Sequence, residues 1–299
     1  MAKFEWSEVF MSIEGEALYN GHPTAYVRFS KCNFQCKGFN NPEKLDTTSV
    51  EVLGFQPRDY EDIFTIPLIT RGCDSIYSWD EKFSHMWNKG TEVDIVNQLK
   101  QVLPNGSFVG PSGKRTILSL TGGEPTLRMK FLPALLNHPE MVDCRHILIE
   151  TNCAVPLKRE HVLELVDWAR ATDYKPVGRI TWSNSPKLSV SGELWEDAIR
   201  PEIAMMQRTV TEYQDVLFDQ YFKFVCGADD SDYEEVAKAM QAYYDAGIPK
   251  DVPVYIMPVA CLEEQQQAIA AKVAKQCIQR GYVYCHRVQN SVYGNGVGT

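Results

Sequence analysis

Short apolar runs alternate with amphipathic stretches along most of the chain. The run "TAYVRFS" (24–30), rich in β-branched and aromatic residues, reads as a strand. "TEVDIVNQLKQVL" (91–103) has helical spacing, and Thr91 with Asp94 makes a capping-box pattern at its start. The apolar "RTILSL" (115–120) predicts a second strand and "LRMKFLPALLNH" (127–138) a helix after it. The rhythm continues with a strand at 146–150, a helix at 158–171, and strands at 178–183 and 221–226 separated by a Trp- and Met-rich helical stretch. A helix at 232–247 stopped by Gly247, a sixth strand at 252–259 and a helix running to Gly281 complete it.

Six strand-then-helix units with buried-looking strands imply an α/β fold, a parallel sheet with helices outside. Six units fall short of the eight of a closed barrel, so the expectation is a partial, open (β/α)6 barrel with its chemistry at the C-terminal ends of the strands. No repeat, low-complexity tract or linker divides the chain, and residues 1–299 read as one domain. The segment 37–72 breaks the rhythm with turn residues and isolated hydrophobics. It reads as an insertion, with a short helix of its own.

Composition narrows the setting. Of 299 residues, 44% are hydrophobic and 23% charged, as in an ordinary globular protein. A formal charge of -9 argues against general affinity for nucleic-acid backbones. No apolar run is long enough to span a bilayer, and "MAKFEWSEVF" lacks the layout of an export signal, so a cytoplasmic location is expected. Nine cysteines in such a setting are mostly small buried hydrophobes, with a minority serving as ligands. Cys144, Cys226, Cys261, Cys277 and Cys285 lie in or beside apolar patterns and fit the first class; Cys32, Cys36 and Cys73 do not.

Cys32 and Cys36 stand four apart after the first strand, and Phe39 occupies the next short interval. If 37–72 is cut out, Cys36 comes almost directly before Cys73 and the three thiols form one compact motif. Three thiolates holding a [4Fe–4S] cluster leave one iron open to a substrate or cofactor. Zinc is the competing reading, although it normally takes a fourth Cys or His. "LSLTGGEPTLR" (118–128) runs an apolar strand into Gly122, Gly123, Glu124 and Pro125. Glycines there let a ligand approach the backbone, whose carbonyls accept from an ammonium group; alone, the motif also reads as a tight strand–helix turn.

Taken in order, these motifs resemble those of radical S-adenosylmethionine enzymes, and more narrowly of the 7-carboxy-7-deazaguanine synthases. "SEVFMSIEGEALYNGHPTAYVRFSKCNFQC" is similar to that family's Glu-x-Phe-x-Ser-x-Gln-Gly-Glu-Gly opening and its Val-Arg-Phe strand. "CDSIYSWD" resembles its Cys-Asp-Thr segment, and "TGGEPTL", "IETNC", "SNSPKLS", "YFKFV", "VYIMPV" and "RVQNSVYG" follow in the family's order. The resemblance covers nearly the whole chain.

It implies a [4Fe–4S] cluster on Cys32, Cys36 and Cys73, with S-adenosylmethionine chelating the open iron. The Gly122–Gly123–Glu124 edge takes the methionyl amine, and Thr151, Asn152 and Ser185 hold the rest of the cofactor. One electron splits the sulfonium to methionine and a 5′-deoxyadenosyl radical. The implied substrate is 6-carboxy-5,6,7,8-tetrahydropterin, converted to 7-carboxy-7-deazaguanine with loss of ammonia. Arg28 is placed to pair with the substrate carboxylate, Glu14 and Glu16 to accept from ring N–H groups, and Ser75 to bind Mg²⁺ where the family has Thr. The tail brings Gln289 or the terminal carboxylate to the site. By itself Arg28 reads as a structural ion pair and Glu14 as a surface carboxylate; Lys187 and Lys223 face the site or cap strand ends.

Glu14 stands where the family commonly has Gln, Ala17 where it has Gly, and Cys153, read as a packed thiol, where Gly is frequent. An electron donor such as flavodoxin or ferredoxin and a homodimer are family-level expectations. The alternatives are a glycyl-radical activase acting on a protein partner and a non-catalytic cluster-binding regulator. The Glu14–Glu16 opening and "SNSPKLS" favour a small enclosed pterin.

Overall fold

A computed structural model describes residues 3–294 and 296–298. Its nine-stranded sheet has the order β3-β1-β2-β4-β5-β6-β7-β8-β9. The strands are β1 Phe4–Ile13, β2 Pro23–Phe29, β3 Asn88–Gly90, β4 Ile117–Gly122, β5 His146–Thr151, β6 Arg179–Asn184, β7 Leu217–Cys226, β8 Val254–Pro258 and β9 Val283–Tyr284. The six strands expected from the pattern are β2 and β4 to β8, and successive members pair in parallel. The sheet stays open, with β3 at one edge and β9 at the other, as an incomplete barrel requires.

Period-2 alternation along each strand explains both faces of this sheet. Ala25, Val27, Phe29, Leu118, Leu120, Ile147, Ile149, Ile180 and Trp182 form an apolar outer layer with residues of helices Glu92–Val102 and Arg159–Ala169. Phe222, Phe224, Val254 and Ile256 do the same with helices Asp230–Asp245 and Glu263–Arg280. The intervening positions, among them Tyr26, Arg28, Thr121, Glu150, Ser183 and Lys223, face a cavity inside the curved sheet.

Thr91 and Asp94 make the expected capping box, the Thr91 N–H donating to Asp94 Oδ2 at 2.7 Å. Gly247 and Gly281 follow the last two long helices at φ +110° and +73°. Two features differ from the sequence pattern. The helix expected over 127–138 is a 3₁₀ segment Pro125–Phe131 followed by a five-residue helix Leu132–Leu136, because Pro133 offers no N–H to a longer helical ladder. In addition, β1 precedes the first expected strand and runs antiparallel to β2, with a register shift between Trp6 and Glu8. This bulge leaves Phe4 and Trp6, with Val9 and Met11, on the outer core while Phe10 faces the cavity.

The segment 37–72 contains the helix Val50–Leu53 and two 3₁₀ turns. Phe55, Ile63, Ile66 and Ile69 pack against Ile76, Tyr77, Phe83 and Met86, giving the insertion a small core shared with the chain after Cys73.

Candidate active site

Polar inward positions converge on a cavity of about 260 Å³ at the C-terminal ends of the parallel strands. At its floor Ser119 Oγ donates to Glu150 Oε1 at 2.6 Å, while Tyr26 OH donates to Glu14 Oε2 at 3.1 Å. Burial pushes the Glu14 carboxyl well above the usual carboxylate range, and the charges of Glu150 and Glu16 push it further. A protonated Glu14 has one donor and one acceptor, as the side-chain amide of Gln does.

The glycine edge is a crossing point of β2 and β4. A Cβ at Gly122 would strike Phe29 O, and one at Gly123 would strike Lys31 O. The Gly123 N–H donates to Phe29 O at 3.0 Å and the Glu124 N–H to Lys31 O at 2.9 Å. Only glycine permits this approach, and it brings the strand end directly behind Cys32. The Glu124 carboxylate is fully buried and accepts from the Thr126 N–H and hydroxyl, from Thr151 Oγ1 at 2.8 Å and from the Asn152 N–H at 2.7 Å. These bonds use the carboxylate to fasten the end of β4 to that of β5, leaving the Gly122–Gly123 backbone as the cavity wall. Thr151, Asn152 and Ser185 line the same cavity, and the Ser185 N–H donates to Thr151 O at 2.8 Å.

Cys32, Cys36 and Cys73 all line the cavity, with Phe39 beside them. Burial raises each thiol, Cys32 to about 12. Several donors are set to favour thiolates once a metal displaces the protons. The Phe34 N–H points at Cys32 Sγ at 3.4 Å and Asn152 Nδ2 at 3.8 Å. The buried indole N–H of Trp79 faces Cys73 and favours its thiolate against the larger effect of burial. Cys36 is held at φ +51°, uncommon for a residue with a side chain, by Glu193 Oε1, which accepts from its N–H at 2.6 Å. Among the described residues no three His, Cys, Asp or Glu side chains are drawn together on one point as a single metal ion asks. Cys32, Cys36 and Cys73 are thiols of one cavity, the donor type that an iron–sulfur cluster takes.

A chain of buried charges forms the opposite wall. Arg28 pairs with Glu8 at 2.5 Å, and its Nη1 donates to Ser75 Oγ at 3.3 Å. Arg28 is therefore engaged in a structural ion pair while also facing the cavity. Ser75 Oγ donates to Asp74 Oδ1 at 3.2 Å, and Asp74 Oδ2 pairs with Arg287 at 2.9 Å. Arg287 Nε reaches Glu16 Oε1 at 3.1 Å, Gln289 Nε2 donates to the same oxygen at 3.2 Å, and Lys223 Nζ pairs with Glu16 Oε2. Burial alone would raise the Glu16 carboxyl, but the Lys223 and Arg287 cations outweigh it and hold it at about 2. Gly15 leaves room for the Gln289 amide, whose Oε1 is buried without a partner.

All the residues anticipated for the site line this cavity except Glu124, which underpins it. Lys187 lies there too, its Nζ 6.0 Å from the Phe39 ring centre, whereas Cys153 is buried in the outer core. The terminal carboxylate lies outside the described residues. Sequence reasoning passed over Arg287, Asp74, Glu8 and Glu150. Arg287 opens "RVQNSVYG" and Asp74 follows Cys73, so both sat inside motifs already singled out.

No protein-family model matches the chain. It is similar along its whole length to the 7-carboxy-7-deazaguanine synthase of Rhodopirellula baltica, 26% identical with 98% of this chain and 88% of that protein covered. Similarity to the synthase of Pyrobaculum aerophilum is 25% over 97% of this chain and 95% of that protein. The synthase of Methanothermobacter thermautotrophicus is 27% identical over 54% of this chain, and the match spans only 46% of that protein. Among solved structures, QueE from Escherichia coli has the same fold, with a TM-score of 0.50 over 95% of this chain and 93% of that one, at 14% identity. The chain thus resembles 7-carboxy-7-deazaguanine synthases in sequence and shares an open radical S-adenosylmethionine-type fold, which supports its being an enzyme of deazapurine biosynthesis.

Proposed function

We propose that this chain is a radical S-adenosylmethionine lyase that converts 6-carboxy-5,6,7,8-tetrahydropterin to 7-carboxy-7-deazaguanine with loss of ammonia. The observation that carries the reading is the union of three thiols, the Gly122–Gly123 edge and the Glu16–Arg287–Gln289 group around one cavity. Cys32, Cys36 and Cys73 would hold the [4Fe–4S] cluster. With S-adenosylmethionine bound, the cluster supplies one-electron cleavage of the sulfonium and a carbon radical able to abstract hydrogen.

The chain's own residues bind and orient. The Gly122–Gly123 backbone, Thr151, Asn152 and Ser185 form the wall suited to the methionyl and ribosyl groups. Glu16 stays ionised and accepts from N–H groups of a guanine-like edge, with the Gln289 amide bracing it. A neutral Glu14 adds a hydrogen bond without adding charge. The cavity cations Arg28, Lys223 and Arg287 are already paired with carboxylates, so an incoming carboxylate benefits from a further cation. Ser75 Oγ and the Asp74 carboxylate supply hard oxygens of the kind Mg²⁺ takes. Enclosure of these groups favours a small molecule over a protein substrate. A cytoplasmic homodimer reduced by flavodoxin or ferredoxin, in the family's manner, completes the proposal.

The test is anaerobic cluster reconstitution, then incubation with S-adenosylmethionine, reductant, Mg²⁺ and the carboxypterin. The expected result is 7-carboxy-7-deazaguanine and ammonia in equal amounts. Formation of 5′-deoxyadenosine without the deazaguanine would reject the substrate and keep the radical class.

A further inference from the structure

The insertion 37–72 reaches the cavity. Ile66, Pro67, Leu68 and Ile69 line it on the side shared with the C-terminal tail, where Val297 joins the insertion's core. Ile66 and Ile69 are buried, 9% and 6% exposed, and anchor the segment in that core. Between them Leu68 is 48% exposed although it lies against the cavity. Pro67 restricts the backbone just before it. A leucine held out between two anchored isoleucines cannot collapse into the core, so its apolar surface is left for whatever fills the cavity.

The support behind this segment is firm. Asn40 Nδ2 donates to Thr70 O at 3.0 Å, and His85 Nε2 lies 2.9 Å from Tyr60 O. Phe55, Ile63 and Phe83 pack beneath. Elsewhere the lining mixes thiols, carboxylates, cations and hydroxyls, which retain water, with apolar groups such as Phe34, Phe39, Val225, Met257 and Val259. Radical chemistry needs a dry chamber in which reactive intermediates are shielded from side reactions.

We propose that Pro67 and Leu68 of the insertion complete the apolar part of the cavity wall, covering the bound ligand on the insertion side and excluding water from the reactive chamber. The insertion thereby sets the coupling of cofactor cleavage to product formation. The identity of the ligand rests on the proposed function; the shielding of the cluster does not rest on the pterin.

The experiment compares reconstituted wild type, Leu68→Ser and Leu68→Met, each checked for iron content and circular dichroism. The first readout is the rate of iron loss to a water-soluble ferrous chelator with S-adenosylmethionine present. Leu68→Ser should lose iron at least about threefold faster than wild type, with Leu68→Met close to wild type. The second readout is 5′-deoxyadenosine formed per deazaguanine, expected to rise in Leu68→Ser and not in Leu68→Met. Equal iron loss and an equal product ratio in Leu68→Ser, at matched iron content, overturn the wall. If wild type makes 5′-deoxyadenosine but no deazaguanine, the substrate reading fails and the chelator rates alone decide the wall. If Leu68→Ser takes up no cluster, Pro67→Gly replaces it with the same expected direction and the same refuting result.

Discussion

Replacing Lys223 with Met removes one of two cations that hold Glu16. The side chains of Lys223 and Glu16 are 9% and 13% exposed, so solvent offers little compensation. Glu16 would keep Arg287 at 3.1 Å and Gln289 at 3.2 Å. Its displacement from the ordinary 4.5 to about 2 corresponds to roughly 3 kcal/mol at about 1.4 kcal/mol per pH unit. Lys223 supplies the larger charge contribution, and breaking a buried pair from one side costs about 3–5 kcal/mol. With Arg287 still present, Lys223→Met should cost about 2–3 kcal/mol, on the order of 3–5 °C in Tm for a chain of this size.

A double-mutant cycle isolates the pair. Glu16→Gln alone strands the Lys223 ammonium, whereas Lys223→Met with Glu16→Gln leaves neither charge behind. The double variant should therefore lose at least about 1 kcal/mol less than the sum of the singles. Urea unfolding of the cluster-free chain measures this at pH 7. Glu16 has a lowered pKa in the fold, so its contribution is complete above the unfolded value near 4.5 and is lost as pH falls toward 2. The coupling should shrink at pH 3. Strict additivity at pH 7 would refute the claim that Lys223 and Glu16 form a mutually dependent buried pair.

Three further outcomes follow from the geometry. Gly123→Ala should fold poorly, losing at least about 2 kcal/mol in thermal or denaturant unfolding, because its Cβ meets the Lys31 backbone rather than a movable side chain. Cys73→Ala should abolish iron uptake as completely as Cys32→Ala; retained iron and absorbance would remove Cys73 from the ligand set. His146 is pushed down to about 4 by burial and by Arg179, so the fold resists its protonation. Stability from this group is complete above the unfolded value near 6.5 and is lost as pH falls through 4; His146→Gln should flatten the pH 4–6.5 limb of the unfolding profile.

The parallel strands were legible because each is short, apolar on the outward face and bounded by turn residues. β1 was not, since its bulge near Ser7 breaks the alternation that would have marked it. Spacing alone left Cys32, Cys36 and Cys73 open to other readings; the ordered motifs around them joined the three, and all three line one cavity. The partners of Arg28 and Glu16 were a different matter. Glu8, Asp74 and Arg287 carry ordinary charges in sequence, and only folding brings the first strand, the post-cysteine turn and the C-terminal helix into contact. Glu124 shows the reverse limit: its motif was visible, while the direction of its carboxylate depended on where β5 ends.

The neck of the insertion has a consequence for how such chains vary in length. The Gly72 N–H donates to Phe39 O at 2.7 Å, and the Gly38 N–H to Ser191 O at 2.8 Å. Loop length beyond this clasp is thus mechanically decoupled from the separation of Cys36 and Cys73. Closing a loop twice as long costs only about 0.6 kcal/mol more. Residues between Asn40 and Tyr60 are accordingly where length can change at least cost, with the Phe39–Gly72 clasp and the Ile66–Ile69 wall left in place.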